Sequence, residues 1–123
     1  MARILVVEDD ALVREMLSTM LIEHGYEVHI ADSGDKALAA MANHPMDLVV
    51  TDMFMPGMTG LEIINTLKER SKGTKIIAIS GGMRHFQGSD SLAMARAMGA
   101  DKTMSKPVPM TQLIGAVTDL VGN

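Results

Sequence analysis

The chain has 123 residues, which is enough for one domain with a hydrophobic core. Its net charge of −4 argues against nucleic acid as a direct ligand, because phosphate backbones bind basic surfaces. The absence of cysteine excludes disulfides and thiol chemistry and is compatible with a cytoplasmic location, and no apolar run is long enough to span a membrane. No signal peptide is expected, since Met1-Ala2-Arg3 leads directly into a strand pattern.

Strand and helix patterns alternate along the chain without a linker between them. The predicted strands cover residues 3–7, 26–30, 48–52, 75–79 and 101–104. The predicted helices are residues 11–24, a helix capped by Ser33, a helix that starts with the capping box Thr59–Glu62, a short helix at 92–98, and a last helix with Pro109 in its first turn. Five strand–helix pairs predict an α/β fold with a doubly wound five-stranded parallel sheet and five helices.

Two of the predicted strands end on carboxylates. The central strand contains a continuous apolar run, typical of a strand buried on both faces, and it ends at Asp52. The first strand ends just before the acidic stretch that contains Asp9 and Asp10. Because ligands of open α/β sheets bind outside the carboxyl ends of the strands, these three side chains are expected to lie at one rim. Taken alone, Asp52 fits a carboxylate that only caps its strand somewhat better than a functional one.

A divalent cation is expected at this rim, because crowded carboxylates repel one another. Two unit charges ~5 Å apart repel by roughly 3 kcal/mol at an effective dielectric of ~20. Oxygen ligands with room for water suit Mg²⁺. Glu8, which precedes Asp9, is expected to have a structural role rather than to be a primary metal ligand.

The fourth and fifth strands add a hydroxyl and a cation to the same rim. The fourth strand leads to Ser80, and the fifth leads to Lys106 and Pro107. Lys106 also fits an ordinary surface lysine, although its place directly after a strand favours the site. The rim would then present a metal pair, a candidate nucleophile, a hydroxyl and a cation.

This arrangement resembles the receiver domain of two-component response regulators, in particular the stand-alone chemotaxis-regulator type. The resemblance covers essentially the whole chain, and its motifs are specific in combination. They are Val7-Glu8-Asp9-Asp10, the segment from Asp52 to Gly60, Ser80, and Gly99-Ala100-Asp101-Lys102 leading to Lys106-Pro107. The resemblance implies a flavodoxin-like fold with strand order 2-1-3-4-5, and a single receiver domain over residues 1–123 with no output domain.

The resemblance also implies the roles of the acidic residues. Asp52 would accept a phosphoryl group from a phosphohistidine on a histidine kinase or a histidine phosphotransfer protein. Asp9 and Asp52 would hold Mg²⁺ directly, Asp10 would act largely through water, and the backbone carbonyl of Phe54 would complete the protein ligands. The signal would pass to an unidentified output protein, with no direct contact to nucleic acid or membrane.

Lys106 and Ser80 would each bind a phosphoryl oxygen in a protein of this family. The bond between Lys106 and Pro107 is often cis in the family and is expected to be cis here. Switching is implied at Ser80 and at Thr103, which stands where an aromatic side chain is common. Because Thr103 has no ring to reorient, the switch is expected to depend more on Ser80 and on the loop at 81–91.

Phe54 stands two residues after Asp52, where the family usually has a polar residue. A phenyl ring cannot hydrogen-bond the water that hydrolyses an acyl phosphate, so a long phosphoryl lifetime is expected. Phe54 also disfavours the alternative of a small phosphatase or phosphotransferase of the haloacid dehalogenase type, which usually needs a second Asp at this position as acid/base. The other alternative is a phosphorylation-independent pseudo-receiver, and the intact Asp9, Asp10, Asp52 and Lys106 argue against it.

Overall fold

Strands and helices alternate in the computed structural model of the chain, which describes residues 1–53, 57, 59–80, 93, 95, 96 and 98–122. The strands are β1 (Arg3–Val7), β2 (Glu27–Ala31), β3 (Leu48–Asp52), β4 (Lys75–Ser80) and β5 (Lys102–Ser105). The helices within the described residues are α1 (Ala11–Glu23), α2 (Gly34–Asn43), α3 (Gly60–Arg70) and α4 (Met110–Val121).

The five strands form one parallel sheet in the order β2-β1-β3-β4-β5. This confirms the predicted α/β fold class and its strand order. The register pairs Val7 of β1 with Thr51 of β3, and Ser80 of β4 with Ser105 of β5. As a result, the carboxyl ends of β1, β3, β4 and β5 lie along one edge of the sheet.

Two apolar layers pack on the two faces of the sheet. In the first layer, Val49 and its neighbours on β1 and β4 contact α2 and α3, with Ile63 and Ile64 fully buried. In the second layer, the alternate strand residues contact Leu17 of α1 and Leu113 of α4. Because successive strand side chains point to opposite faces, the continuous apolar runs of β1 and β3 supply both layers.

Local sequence signals set the helix ends. The Thr59 hydroxyl accepts a hydrogen bond from the Glu62 backbone N–H, and the Glu62 carboxylate accepts one from the Thr59 backbone N–H, which confirms the predicted capping box. Ser33 caps α2 through the backbone N–H of Lys36. Pro109 lies at the N-cap of α4, one position before the first turn in which it was expected.

One predicted element lies mostly outside the described residues. Of the short helix expected at 92–98, the described positions Ala93, Ala95, Arg96 and Met98 have helical backbone. The loop expected at 81–91 lies outside the described residues, as do Phe54 and Pro56.

Tyr26 joins the start of β2 to the end of α4. Its hydroxyl donates a hydrogen bond to the carbonyl oxygen of Gly122 at 2.7 Å, and its side chain is buried. This contact lies at the edge of the sheet opposite to the carboxyl ends of the strands. Within the parts of the chain that the structure describes, no helix combines the length and apolar character needed to cross a bilayer.

Candidate functional site at the carboxyl edge of the sheet

Asp52 is the last residue of β3 and is held where α3 meets the strand. Its side chain is buried, with a relative exposure of 6%. A Cβ at Gly60, the first residue of α3, would lie 2.5 Å from the Asp52 carbonyl oxygen and 2.8 Å from the Cα of Met53. Only glycine therefore allows α3 to begin this close to the strand, and that close approach fixes the backbone at Asp52.

Lys106 connects two carboxylates at this edge. Its Nζ lies 2.9 Å from Oδ2 of Asp52 and 2.7 Å from Oε1 of Glu8. Its backbone N–H donates a hydrogen bond to the carbonyl oxygen of Ser80 at 2.8 Å, which joins it to the end of β4. Partial burial lowers the pKa of Lys106, but the bonds to Glu8 and Asp52 outweigh it and raise the pKa above its ordinary value. The Lys106–Pro107 bond is cis, as predicted.

Glu8 is the most deeply buried carboxylate of the site, with a side chain only 2% exposed. Burial raises the pKa of Glu8 from 4.5 to about 7. Bonds from Lys106 and from the backbone N–H of Asp10 favour the ionised form and offset part of this rise, whereas the neighbouring Asp52 adds to it. Glu8 is therefore a carboxylic acid that changes charge near neutral pH.

The carboxylates that converge are those of Glu8, Asp9 and Asp52. One oxygen from each lies within 4.8 Å of the others. Of these three carboxylates, Glu8 and Asp52 contact the ammonium of Lys106. Because one ammonium faces a group of three acids, a divalent cation would balance the excess of negative charge. The oxygen donors fit Mg²⁺, and Asp9 is exposed, which leaves room for water ligands.

Asp10 lies outside the group of three converging carboxylates, and its predicted role, acting on the metal largely through water, stays a prediction. Asp10 is the N-cap of α1, and its Oδ1 accepts hydrogen bonds from the backbone N–H groups of Leu12 at 3.0 Å and Val13 at 3.2 Å. The member of the group that sequence reasoning treated as structural is Glu8. The signal that identifies Glu8 is the register between β1 and β3: since Val7 pairs with Thr51, the next residue, Glu8, is level with Asp52.

Ser80 and Thr103 lie on the neighbouring strands β4 and β5. Ser80 is the last residue of β4 and is fully buried. Thr103 lies on β5, paired in register with Ala78, and its hydroxyl accepts a hydrogen bond from Nη2 of Arg96 at 3.0 Å. The predicted switch roles of Ser80 and Thr103, and the predicted metal contact of the Phe54 carbonyl, stay predictions.

The fold and the acidic site define a receiver domain, and comparisons with known proteins agree. The sequence profile of the response regulator receiver domain matches residues 4–118, so the chain belongs to this family. The chain is 35% identical to the response regulator MprA of Mycobacterium sp. (strain KMS), over 97% of this chain and 50% of that protein. It is 28% identical to the cell cycle transcriptional regulator CtrA of Caulobacter vibrioides, over the same shares of both chains. The chain thus spans about half the length of these curated relatives.

Solved structures show the same similarity. The chain superimposes on a receiver domain from Clostridium thermocellum with a TM-score of 0.90 and 27% identity, covering 98% of this chain and 94% of that one. It superimposes on the response regulator TrrA from Thermotoga maritima with a TM-score of 0.82 and 35% identity, covering 98% of this chain and 100% of that one. The TrrA structure is a complex with Mg²⁺–BeF.

Proposed function

We propose that this protein is a phosphorylation-controlled switch in which Asp52 accepts a phosphoryl group from a phosphohistidine on a histidine kinase or a histidine phosphotransfer protein. The observation that carries the proposal is the position of Asp52: a buried carboxylate at the end of the central strand, 2.9 Å from Lys106 and grouped with Glu8 and Asp9. Since the described site contains a nucleophile and a cation, it has the parts that phosphoryl transfer requires.

In the transfer step, a carboxylate oxygen of Asp52 forms a bond to phosphorus while the bond from phosphorus to the donor imidazole nitrogen breaks. Lys106 neutralises negative charge on the phosphoryl oxygens, to which its ammonium can turn from Asp52. Glu8 and Asp9, with Asp52, would hold Mg²⁺, which when bound neutralises further phosphoryl charge. Ser80 would hydrogen-bond a phosphoryl oxygen.

The phosphorylated protein would act through binding rather than turnover. Its own chemistry would consist of accepting the phosphoryl group and losing it slowly to water, and its output would be a changed affinity for a partner protein. We place the domain in the cytoplasm, where histidine kinases and their phosphotransfer partners present phosphohistidine. Residues 1–123 would act as one receiver domain.

Intact mass spectrometry tests the proposal directly. Incubation with acetyl phosphate and Mg²⁺ should add one phosphoryl group to the wild type and none to Asp52→Asn. Asp119→Asn, which changes an exposed carboxylate on α4, is the matched control and should be labelled like the wild type. Unchanged labelling of Asp52→Asn would place the phosphoacceptor elsewhere, and sustained hydrolysis of p-nitrophenyl phosphate would favour a phosphatase instead.

The lifetime of the phosphoryl group tests the role of Phe54. Replacing this phenyl ring by a side chain that can position water should accelerate hydrolysis, so phosphorylated Phe54→Asn should lose its label faster than the wild type. Decay of the phosphorylated mass after removal of donor gives the two rates. Equal or slower loss in Phe54→Asn would contradict the shielding by the ring.

A further inference from the structure

Arg14 connects α1 to the acidic turn, which consists of Glu8, Asp9 and Asp10. Its Nη1 donates a hydrogen bond to the carbonyl oxygen of Glu8 at 2.9 Å, in a partly buried position. Its backbone N–H donates to the carbonyl oxygen of Asp10 at 2.9 Å. The side chain therefore folds back from the helix towards the end of β1 and holds the acidic turn at Glu8. The bond to Asp10 is the first main-chain bond of α1 and does not depend on the side chain of Arg14.

The position of this guanidinium is unfavourable for the helix itself. Arg14 lies near the amino end of α1, where the helix dipole disfavours a positive charge, and the first turn of α1 contains no acidic residue. Among the described residues, Arg14 forms no ion pair. Its bond to a neutral carbonyl is therefore a contact that fixes the backbone rather than one that pairs charges.

The bond from Arg14 completes the restraint of Glu8. The backbone N–H of Glu8 donates to the carbonyl oxygen of Ala31 at 3.0 Å, which continues the pairing of β1 with β2. The Glu8 carboxylate accepts bonds from Lys106 and from the backbone N–H of Asp10. Only the carbonyl of Glu8 remains to be held, and Arg14 holds it.

That carbonyl controls the residue that follows it. The C=O of Glu8 and the N–H of Asp9 belong to one planar peptide unit, so fixing the oxygen fixes the orientation of the backbone at Asp9. Asp9 is exposed, and among the described residues its side chain has no hydrogen bond or ion pair comparable to those that hold Glu8. The convergence of Asp9 with Glu8 and Asp52 therefore depends on the orientation of this peptide.

We propose that Arg14 is a positioning residue for the divalent-cation site: through the Glu8 carbonyl it sets the peptide that aims Asp9 at Glu8 and Asp52. The proposal rests on the proposed function, in which this carboxylate group holds Mg²⁺. Arg14 touches neither the cation nor the phosphoryl group in this role, and it acts through the main chain.

The direction in which the Mg²⁺ affinity changes when Arg14 is removed distinguishes a positioning role from a purely electrostatic one. The guanidinium is positive, so if charge alone mattered, its removal would tighten the binding of Mg²⁺. If Arg14 positions the ligands, its removal should weaken binding, by about tenfold, as is typical for residues that orient metal ligands. Arg14→Lys keeps the charge but loses the forked geometry of the donors, so it should recover only part of the loss.

Titration calorimetry of the unphosphorylated protein with Mg²⁺ measures this effect on the wild type, Arg14→Met, Arg14→Lys and the matched control Arg70→Met. Arg70 is an exposed arginine at the end of α3, so Arg70→Met should bind Mg²⁺ like the wild type. Metal-free amide spectra give a second measurement: the Asp9 resonance should shift in Arg14→Met and stay in place in Arg70→Met.

Equal or tighter Mg²⁺ binding by Arg14→Met would overturn the proposal, as would an unmoved Asp9 amide. If Arg14→Met does not fold, weaker binding by Arg14→Lys supports the proposal, and wild-type binding by that variant overturns it. Failure of the proposed function has a different signature: wild-type protein that binds no Mg²⁺ and accepts no label at Asp52.

Discussion

A charge cluster with a basic side chain lies near each end of β1, and the two clusters differ in their exposure to solvent. At the amino end, Arg3 contacts the carboxylate of Glu27, which also bonds Nε2 of His29 at 2.8 Å. These side chains are between 28% and 43% exposed. At the carboxyl end, Lys106 contacts Glu8 and Asp52, whose side chains are 2% and 6% exposed.

This difference in burial distinguishes a cluster expected to bind a ligand from an ordinary surface ion pair. Exposed ion pairs contribute about 0–1 kcal/mol, because water solvates the separated charges nearly as well. Burial removes that solvation from a carboxylate. Because the acids outnumber the one ammonium at the carboxyl end, the contacts within this cluster do not make up the lost solvation free energy. A site that lowers stability in this way is expected where a ligand binds, since natural proteins depart from optimal packing mainly at functional positions.

Removing the cation from each cluster should give the largest contrast. In metal-free protein at pH 8, Lys106→Met should lower the free energy of unfolding by about 3 kcal/mol, because two buried carboxylates lose their counter-charge. Arg3→Met should lower it by less than about 1 kcal/mol. Urea unfolding followed by circular dichroism measures both values, and similar losses in the two variants would remove the distinction between the clusters.

Titration of Glu8 should give the next largest effect. Since its pKa is raised from 4.5 to about 7 in the folded protein, the folded state retains a proton that the unfolded state has lost. The associated stability is complete below about pH 4.5 and is lost as the pH rises through 7, on the order of 3 kcal/mol. Metal-free Glu8→Gln should therefore exceed the wild type in stability at pH 8, and the difference should vanish near pH 4.5.

The affinity for Mg²⁺ should rise with pH as Glu8 loses its proton, whereas the stability of the metal-free protein falls. Because Glu8 must lose its proton to act as a ligand, the wild type should bind Mg²⁺ roughly tenfold more tightly at pH 8 than at pH 5.5. Glu8→Gln should bind more weakly, with less dependence on pH over this range. Calorimetry at the two pH values decides the point, and an equal pH dependence in both proteins would exclude Glu8 as the titrating ligand.

The smallest effect should come from the exposed acid at the other end of β1. The pKa of Glu27 is lowered, first by its hydrogen bond with His29 and then by Arg3. Its contribution to stability is therefore present above its ordinary pKa of 4.5 and is lost as the pH falls below it. Glu27→Gln should shift the urea midpoint at pH 7 far less than Lys106→Met does, and a comparable shift would contradict the contrast.

The sequence predicted the fold largely because β1 and β3 are buried on both faces. Continuous apolar runs such as residues 4–7 and 48–50 fit few other structures, and the residues at which they end located Asp52 and the acidic stretch after β1. The capping box at Thr59 and Glu62 was equally readable, because it consists of local hydrogen bonds alone.

The roles of the acidic residues were less predictable, because the position of Glu8 depends on the pairing of strands that are distant in sequence. Glu8 and Asp10 each precede or begin α1, and composition does not say which one faces β3. The register between β1 and β3 puts Glu8 level with Asp52, while capping of α1 engages Asp10. The first constraint comes from the assembled sheet, whereas the second is local, since Asp10 directly precedes α1 and bonds the backbone of Leu12 and Val13.

The hydrogen bond between Tyr26 and Gly122 determines which structural changes intrinsic fluorescence can detect in this protein. Tyr26 is the only tyrosine, and the chain contains no tryptophan, so its ring dominates the intrinsic ultraviolet emission. The ring is buried, and its hydroxyl donates a hydrogen bond to Gly122, the C-cap of α4, at the edge of the sheet opposite to Asp52. Emission from Tyr26 should therefore change on global unfolding or on release of the carboxyl-terminal helix. It should change little when Mg²⁺ or a phosphoryl group binds at the opposite edge of the sheet.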